Sequence, residues 1–353
     1  MKINSSHPSG SQIRPVKMLE AFKSLGCEVD VVMGTGKDRR QQIKQIKQKI
    51  KEGKRYDFVY SESSTYPTMF AYGVKDAFMY PLLDFSFFSF CKKNSIPIGL
   101  FYRDIYWKFP KMINKPFIKK LFLNIMHRFD LLVYQKYIDV LYLPSKKMGE
   151  YLNFNFEPIK LLPPGAVDDY FAEPMKTNNN LNIFYVGGIG GHYKMHKLLK
   201  VVGDFPNVSL TICCREKDWQ LNGDSYNQLL KSNLNVVHVN GNDLIPFYEK
   251  ADLVSLFWEN SEYMDFAMPV KLFEYLAHKK PIIATAGTEA GNFVKDNGAG
   301  WVIPYDENAL KELLNQIKEN PEILIEKINN IYNILPMNTW KSRALQVCKD
   351  LSS

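Results

Sequence analysis

The 353-residue sequence predicts an α/β protein of two domains, each a parallel sheet covered by helices on both faces. Three observations carry that expectation. Short apolar runs rich in β-branched and aromatic residues alternate with stretches of helical period. The alternation stops over the turn-rich stretch from Ile159 to Asn180 and then starts again. The length also exceeds what one hydrophobic core usually serves. Domains are therefore expected at residues 1–165 and 166–335, with a cleft between them and a last helix in 336–353. In open parallel sheets, ligands sit at the carboxyl ends of the strands.

The elements follow in order. Val16, Leu19, Ala21–Phe22 and Leu25 repeat near period 3.6, so Ile13–Gly26 is expected to be a helix, stopped by Gly26. Val29–Met33 reads as a strand, and a strand ahead of the helix has only Met1–Asn4 to form from. Lys37–Arg55 carries nine Lys and Arg against Asp38 and Glu52; Ile43, Ile46 and Ile50 give it a thin apolar stripe on a surface helix. Tyr56–Ser61, Ile96–Tyr102 and Val140–Pro144 are expected strands. After the break, strands are expected at Leu181–Val186, Val208–Cys213, Asn235–Val239, Leu253–Trp258, Pro281–Ala284 and Gly300–Ile303. Helices are expected at Lys194–Val202, Val270–Ala277, Asn308–Ile317, Glu322–Leu335 and Thr339–Leu351.

Composition narrows the class. Five cysteines without a C-x-x-C spacing suggest neither a disulfide framework nor a zinc site, which fits a reducing cytosolic compartment. Residues 1–20 hold no apolar core of a secretory leader, and no uncharged apolar run approaches the ~18–20 residues that span a bilayer. Residues 1–160 hold 27 Lys and Arg against 14 Asp and Glu, whereas 161–353 hold 18 against 23. A basic first half is suited to an anionic partner, either nucleic acid or a membrane surface. No nucleic-acid-binding motif accompanies the charge. Lys37–Arg55 and Lys108–Arg128 interleave cations with apolar residues, and such segments can rest on anionic lipid at ~1 kcal/mol per cation.

The residues suited to chemistry concentrate in Met268–Gly287, MPVKLFEYLAHKKPIIATAG. On a helix, Leu272, Phe273, Leu276 and Ala277 share one side; Lys271, Glu274, Tyr275 and His278 share the other. A carboxylate there can accept two hydrogen bonds from a vicinal diol such as a ribose, and a lysine one turn earlier can meet phosphate. The alternative is an amphipathic helix with a surface Lys–Glu pair. Gly187–Gly191, after a strand and before His192 and Lys194, can bring backbone N–H groups close to a diphosphate or form a plain turn. His7, in the loop His7–Ser11, can take a proton from a hydroxyl, and Arg14 can contact phosphate or cap a surface. Asp104, after a strand, can act as base or orient a sugar hydroxyl, with Tyr106 and Trp107 as stacking platforms, or Arg103–Asp104 can be a structural pair. No two aspartates stand at D-x-D spacing, so no metal site and no metal cofactor are expected.

Pro269, Lys271, Glu274, Tyr275, Ala277 and Pro281 match, position by position, the donor-binding signature of the glycosyltransferases of GT-B fold. The sequence resembles glycosyltransferase family 4 most, in enzymes of bacterial surface-polysaccharide assembly. Leu143–Met148 with Leu162–Gly165 looks like the end of that fold's first domain, and Phe184–Lys194 like its phosphate-facing loop. Val239–Asp243 looks like its base-contacting loop, and Trp340 lies in what looks like the C-terminal helix returning to the first domain. The resemblance covers most of residues 140–353. It implies two Rossmann-like domains facing a central cleft and a nucleotide-diphosphate sugar as donor. It further implies a glycan or lipid-linked glycan as acceptor, retention of configuration, and action at the cytoplasmic membrane's inner face.

Carried onto this chain, Glu274 holds the ribose. Lys194, Lys271, Gly188 and Arg215 meet the diphosphate, and Asn240 and Gly241 face the base. His7 and Asp104 face the acceptor, with Arg103–Asp104 in the place of a His-Asp pair. Two positions depart from the pattern. Phe266 stands eight residues before Glu274, where many members have a second glutamate, and Gly187–Gly188 replaces the usual Gly-Arg. A nucleotide-sugar 2-epimerase of the same fold and a non-catalytic nucleotide-sugar-binding subunit are the competing expectations.

Overall fold

The computed structural model describes residues 10–109, 115–167 and 180–352. The chain forms two compact units, one of Met1–Pro163 with Trp340–Ser353 and one of Pro164–Thr339.

The first unit is built on four parallel strands in sequence order: β1 (Val59–Glu62), β2 (Ile98–Phe101), β3 (Val140–Leu143) and β4 (Ile159–Leu161). Strands β2 and β3 are buried along their whole length, as runs such as IGLF and VLYL require when helices cover both faces. Around them lie α1 (Gly10–Ser24), α2 (Gly36–Lys51), α3 (Val74–Met79), α4 (Leu83–Lys93), α5 (Phe117–Tyr137) and α6 (Lys146–Leu152). Ile43 and Ile46 of the expected stripe are buried on α2, which starts in a capping box between Thr35 and Asp38.

The second unit continues with α7 (His196–Gly203), α8 (Glu216–Asn222), α9 (Asp224–Asn227), α10 (Ile245–Lys250), α11 (Val270–Ala277), α12 (Glu289–Asp296), α13 (Glu307–Glu319) and α14 (Glu322–Ile334). These enclose six parallel strands: β5 (Leu181–Val186), β6 (Val208–Cys213), β7 (Leu234–Val237), β8 (Leu253–Leu256), β9 (Ile282–Thr285) and β10 (Gly300–Ile303). Their order is β10-β9-β8-β5-β6-β7. From β5 the chain winds outward through β6 and β7; it then crosses back to β8 and winds the other way. The strand order reverses between β5 and β8, so the carboxyl ends of those two strands flank the crevice where doubly wound sheets take ligands.

The last helix, α15 (Trp340–Leu351), is part of the first unit. Asp350 accepts hydrogen bonds from Tyr142 (3.1 Å) and Lys160 (2.5 Å), and Gln346 donates to the Leu161 carbonyl (2.9 Å). These tie the helix across β3 and β4.

Two expected elements differ. Val29–Met33 forms no ladder among the described residues: Met33 N–H donates to the Gln42 side chain, and Asp30 is held by Lys49, Lys54 and Tyr56. Ile159–Leu161, expected to lie in the break, is the edge strand β4; at three residues it is too short to show a period.

Gly99 fixes the contact between β2 and α15. A Cβ there would lie 2.8 Å from both Leu351 Cδ1 and Tyr142 Cε2. Gly99→Ala is expected to lower stability by roughly 1–3 kcal/mol through overpacking, read as a lower urea midpoint at constant slope.

Candidate active site

The residues that surround the strand reversal come from the ends of β5 and β8 and from α11. Helix α11 begins at Val270 behind Pro269, and its hydrophobic positions are buried nearly all round. Leu272, Phe273, Leu276 and Ala277 lie in the core, as their spacing predicts. Tyr275 and His278, expected on the polar side, are buried too. The Tyr275 hydroxyl accepts from Val186 N–H (3.2 Å) and donates to the Ser255 carbonyl (3.3 Å), pinning β5 to β8. His278 stacks on Tyr248 with ring centroids 3.7 Å apart, and burial holds its pKa down to about 3. Neither ring is available to a ligand. Lys271 and Glu274 alone among the four remain partly accessible.

Lys271 Nζ donates to the Tyr185 hydroxyl at 2.8 Å and lies 4.4 Å from the ring centroids of Tyr185 and Tyr193 and 5.0 Å from that of Trp258. The Tyr185 hydroxyl in turn donates a hydrogen bond to the Gly188 carbonyl, so the lysine is linked to the loop after β5 through one hydroxyl. Burial holds the ammonium pKa down to about 7, and the charge of Glu274 offsets this only in part. Lys271 makes no ion pair with Glu274 one turn on, so the surface Lys–Glu pair does not describe this helix. A cation in the first turn of a helix also opposes the helix dipole. Three aromatic faces and one hydroxyl therefore hold a charge whose protein surroundings leave it short of an anion.

Glu274 lies under Tyr248, whose buried hydroxyl faces the carboxylate short of hydrogen-bond geometry. Burial raises the Glu274 pKa, opposed by that hydroxyl and by Lys271. The Trp258 indole N–H is likewise buried without a hydrogen-bond acceptor. An unpaired buried N–H beside a cation is unusual in a finished core and suits a ligand rich in oxygen acceptors.

Gly187 is where the loop must be glycine. Its φ is +141°, and a Cβ would meet Lys271 Nζ at 2.3 Å. Gly188, the position carried over from the family pattern, contributes its carbonyl to Tyr185, and a Cβ there would meet Tyr193 only at 3.4 Å. The other expected donor contacts follow the carboxyl ends of the same sheet. Lys194, in the loop after β5, pairs with Glu259 at 3.2 Å, both about half exposed. Arg215, after β6, is held by both oxygens of Asp218 at 2.9 and 3.2 Å. Asn240 and Gly241 are exposed where the 3-10 turn Gly241–Leu244 begins, after β7. Phe266 is buried against Tyr263, so a packed ring fills the position of the family's second glutamate.

In the first unit, Asp104 follows β2 and accepts from Tyr106 N–H at 3.3 Å. Burial pushes its pKa up to about 6, against the Tyr106 N–H, Thr65 and the charge of Arg103. Arg103 turns its guanidinium onto Glu62 (2.9 Å) and the Ser63 carbonyl (3.2 Å). Trp107, expected as a sugar platform, is buried; its ring stacks on His127 and its N–H donates to Tyr102 (2.9 Å). Arg14 is also internal, 3% exposed, lying 3.5 Å over the Phe101 ring and 3.4 Å from Glu62. It neither caps a surface nor reaches one. His7 lies outside the described residues.

Tyr185, Tyr193 and Trp258 are the parts of the site that the sequence reading did not select, whereas Gly187 belongs to the Gly187–Gly191 loop that it did. The signal of the three was positional: aromatic residues following two strands that prove to flank the reversal.

Residues 167–333 match the family model of glycosyl transferases group 1. Among solved structures, Anabaena HepE in complex with UDP-glucose aligns with a TM-score of 0.64 at 14% identity, over 99% of this chain and 98% of that one. WaaG, a glycosyltransferase involved in lipopolysaccharide biosynthesis, aligns with a TM-score of 0.55 at 14% identity, over 90% and 97%. A glycosyltransferase from Rickettsia africae aligns with a TM-score of 0.58 at 14% identity, over 98% and 94%. No curated protein sequence matches the chain. The chain has the GT-B fold, and its second unit matches the group 1 glycosyl transferase domain.

Gly187→Ala is expected to displace Lys271 and to strain a φ that only glycine adopts readily, costing roughly 1–3 kcal/mol. Gly188→Ala should leave stability nearly unchanged; parallel urea titrations of the two variants check the contrast.

Proposed function

We propose that the chain transfers a sugar from a nucleotide-diphosphate sugar to a glycan or lipid-linked glycan acceptor of surface-polysaccharide assembly. The observation that carries the donor half is the Lys271 cage against Gly187, with Glu274 one helical turn away at the strand reversal. Glu274 accepts from the two ribose hydroxyls. Lys271 meets the diphosphate with the backbone of the Gly187–Gly188 loop, assisted by Lys194 and Arg215 once these leave Glu259 and Asp218. Asn240 and Gly241 face the base. The donor is read as a uridine or related diphosphate sugar, in keeping with HepE, which was solved with UDP-glucose.

In the reaction, the anomeric C–O bond to the diphosphate breaks and a bond to an acceptor oxygen forms. The acceptor's proton passes to the leaving phosphate if configuration is retained. Cations and oriented N–H groups stabilise the leaving diphosphate in place of a metal. Asp104, with its carboxyl raised toward neutrality, and His7 orient the acceptor. The basic first half of the chain supports an acceptor presented at an anionic membrane surface, and the site of action is read as its cytoplasmic face. Among the described residues, no helix is long and apolar enough to cross a membrane.

Glu274→Ala should remain folded, and calorimetry should find nucleotide-sugar affinity reduced at least tenfold; unchanged affinity sinks the donor assignment. Incubation with donor alone separates a 2-epimerase, which would return an epimerised sugar, and absence of turnover with a lipid-linked acceptor would favour a binding subunit.

Lys271 supplies a pH signature. Its pKa of about 7 in the free protein rises when a diphosphate binds beside it. Below pH 7 the lysine is already charged, and its contribution to affinity is level. Above pH 7 binding takes up a proton, and affinity falls as pH rises by up to about tenfold per pH unit. Calorimetry at pH 8 in buffers of different ionisation enthalpy should show proton uptake, and Lys271→Met should abolish it.

A further inference from the structure

Large apolar residues that remain exposed are not scattered over this chain. Of the nineteen exposed among the described residues, twelve lie between Tyr66 and Leu132, all in the first unit. They centre on α5. Phe117, Ile118, Leu121, Phe122, Ile125 and Leu132 recur at helical spacing and are 47–79% exposed. The opposite face of α5 is firmly seated: His127, Asp130, Leu131 and Tyr134 are buried, and Asp130 accepts from Thr68 N–H at 2.7 Å. The apolar face is therefore presented outward by a helix held in place. The turn Thr68–Phe70 extends it, since Phe70 meets Phe122 edge-on at 5.5 Å and α3 packs on that turn, bringing Phe78, 82% exposed. A monomer rarely leaves such a patch open without a use for it.

Charge identifies what covers it. Between Asp104 and Asp130 the sequence holds six lysines and arginines, counted with Lys108 and Lys111, and no carboxylate. Lys115, Lys119 and Arg128 are exposed along α5 and its entry. At the far end of the apolar face, Leu132 also lines a pocket of about 370 Å³ with Trp107, Lys108, Arg128, Leu152 and Phe154. Two cations face this pocket and no carboxylate lines it. Lys108 donates to the carbonyls of Tyr151 (2.8 Å) and Leu152 (2.5 Å). Arg128 is bonded to Asn124 (2.8 Å). Neither makes an ion pair among the described residues, and burial together with the nearby charge of Arg128 lowers the Lys108 pKa. An apolar face flanked along α5 by cations, ending in a two-cation pocket, is complementary to an anionic lipid surface.

We infer that α5 is the membrane-docking face of the protein: its apolar stripe enters the headgroup–acyl boundary of an anionic bilayer, and the Lys108–Arg128 pocket receives a lipid phosphate. The helix lies in the interface rather than across it, because Lys119, Lys120 and Arg128 interrupt it. The inference rests on the membrane-side reading of the acceptor and is independent of the donor reading.

Sedimentation of the chain with vesicles tests it. Vesicles of phosphatidylcholine with phosphatidylglycerol should pellet the protein, phosphatidylcholine alone should not, and salt should weaken the binding. Ile118→Glu with Phe122→Glu, at exposed positions that leave the fold intact, should abolish pelleting. Arg128→Gln should weaken it about five-fold, the equivalent of ~1 kcal/mol per cation. Absence of pelleting, equal pelleting with neutral vesicles, or binding unchanged in both variants overturns the inference. So does a dimer in sedimentation velocity that the Ile118/Phe122 variant converts to monomer without any vesicle binding, since the face would then join two copies. Nucleotide-sugar calorimetry on the same samples keeps the two readings apart: lost donor affinity with intact pelleting sinks the donor assignment alone.

Discussion

The second unit depends on a cation held where a protein interior disfavours one. Lys271 enters the first turn of α11, against the helix dipole, and is enclosed by Tyr185, Tyr193 and Trp258. Much around it follows from that placement. Gly187 has no side chain because the ammonium occupies the space. Tyr185 bridges the lysine to the loop, and Tyr275 locks β5 to β8 beneath it. The aromatic faces compensate part of the lost hydration without neutralising the charge. A cation held in this way costs some stability, and its surroundings suit an anion beside it.

The first unit organises its charges differently. Glu62, at the end of β1, receives Arg103 at 2.9 Å and lies 3.4 Å from Arg14. Arg14 in turn lies over Phe101 and within 5.7 Å of the Trp340 ring. One carboxylate and one guanidinium thereby join α1, β1, β2 and α15. A buried network of this kind is costly to break from one side, because the remaining partners keep their charge. Asp104 stands apart, with a carboxyl raised toward neutrality by burial. Within one chain, Glu62 is tied to two guanidinium groups, whereas burial alone sets the raised carboxyl of Asp104 apart.

The strands of both sheets were legible because each is a short apolar run between turn residues, and the parallel arrangement followed from their alternation with helices. The failures have physical causes. Ile159–Leu161 is too short to show a period and is recognised only by its pairing with β3. Val29–Met33 has strand composition, yet side chains take up its polar groups. At the site, Lys271 and Glu274 could be selected from spacing because they stand one turn apart amid apolar residues. Tyr275 and His278 were misplaced because helical spacing gives the angular position of a side chain without telling how much of the helix is covered; α11 is covered nearly all round. Trp107 was misread because its place after a strand does not tell which way the ring turns, and the ring lies against His127. The cage of Tyr185, Tyr193 and Trp258 comes from two strands that meet only after the order reverses, and no local pattern encodes that meeting.

The path of the chain has a consequence for its synthesis. Pro164–Thr339 is one uninterrupted segment, whereas the first unit is finished only by Trp340–Ser353. On the ribosome the second unit can close as soon as its own residues have emerged. The first must wait until α15 has emerged, with the surfaces of β2, β3 and β4 that this helix will cover still open. Of the two units, the one begun first is therefore the one completed last. In that interval its uncovered sheet is the part of the nascent chain most exposed to misassembly and to chaperones.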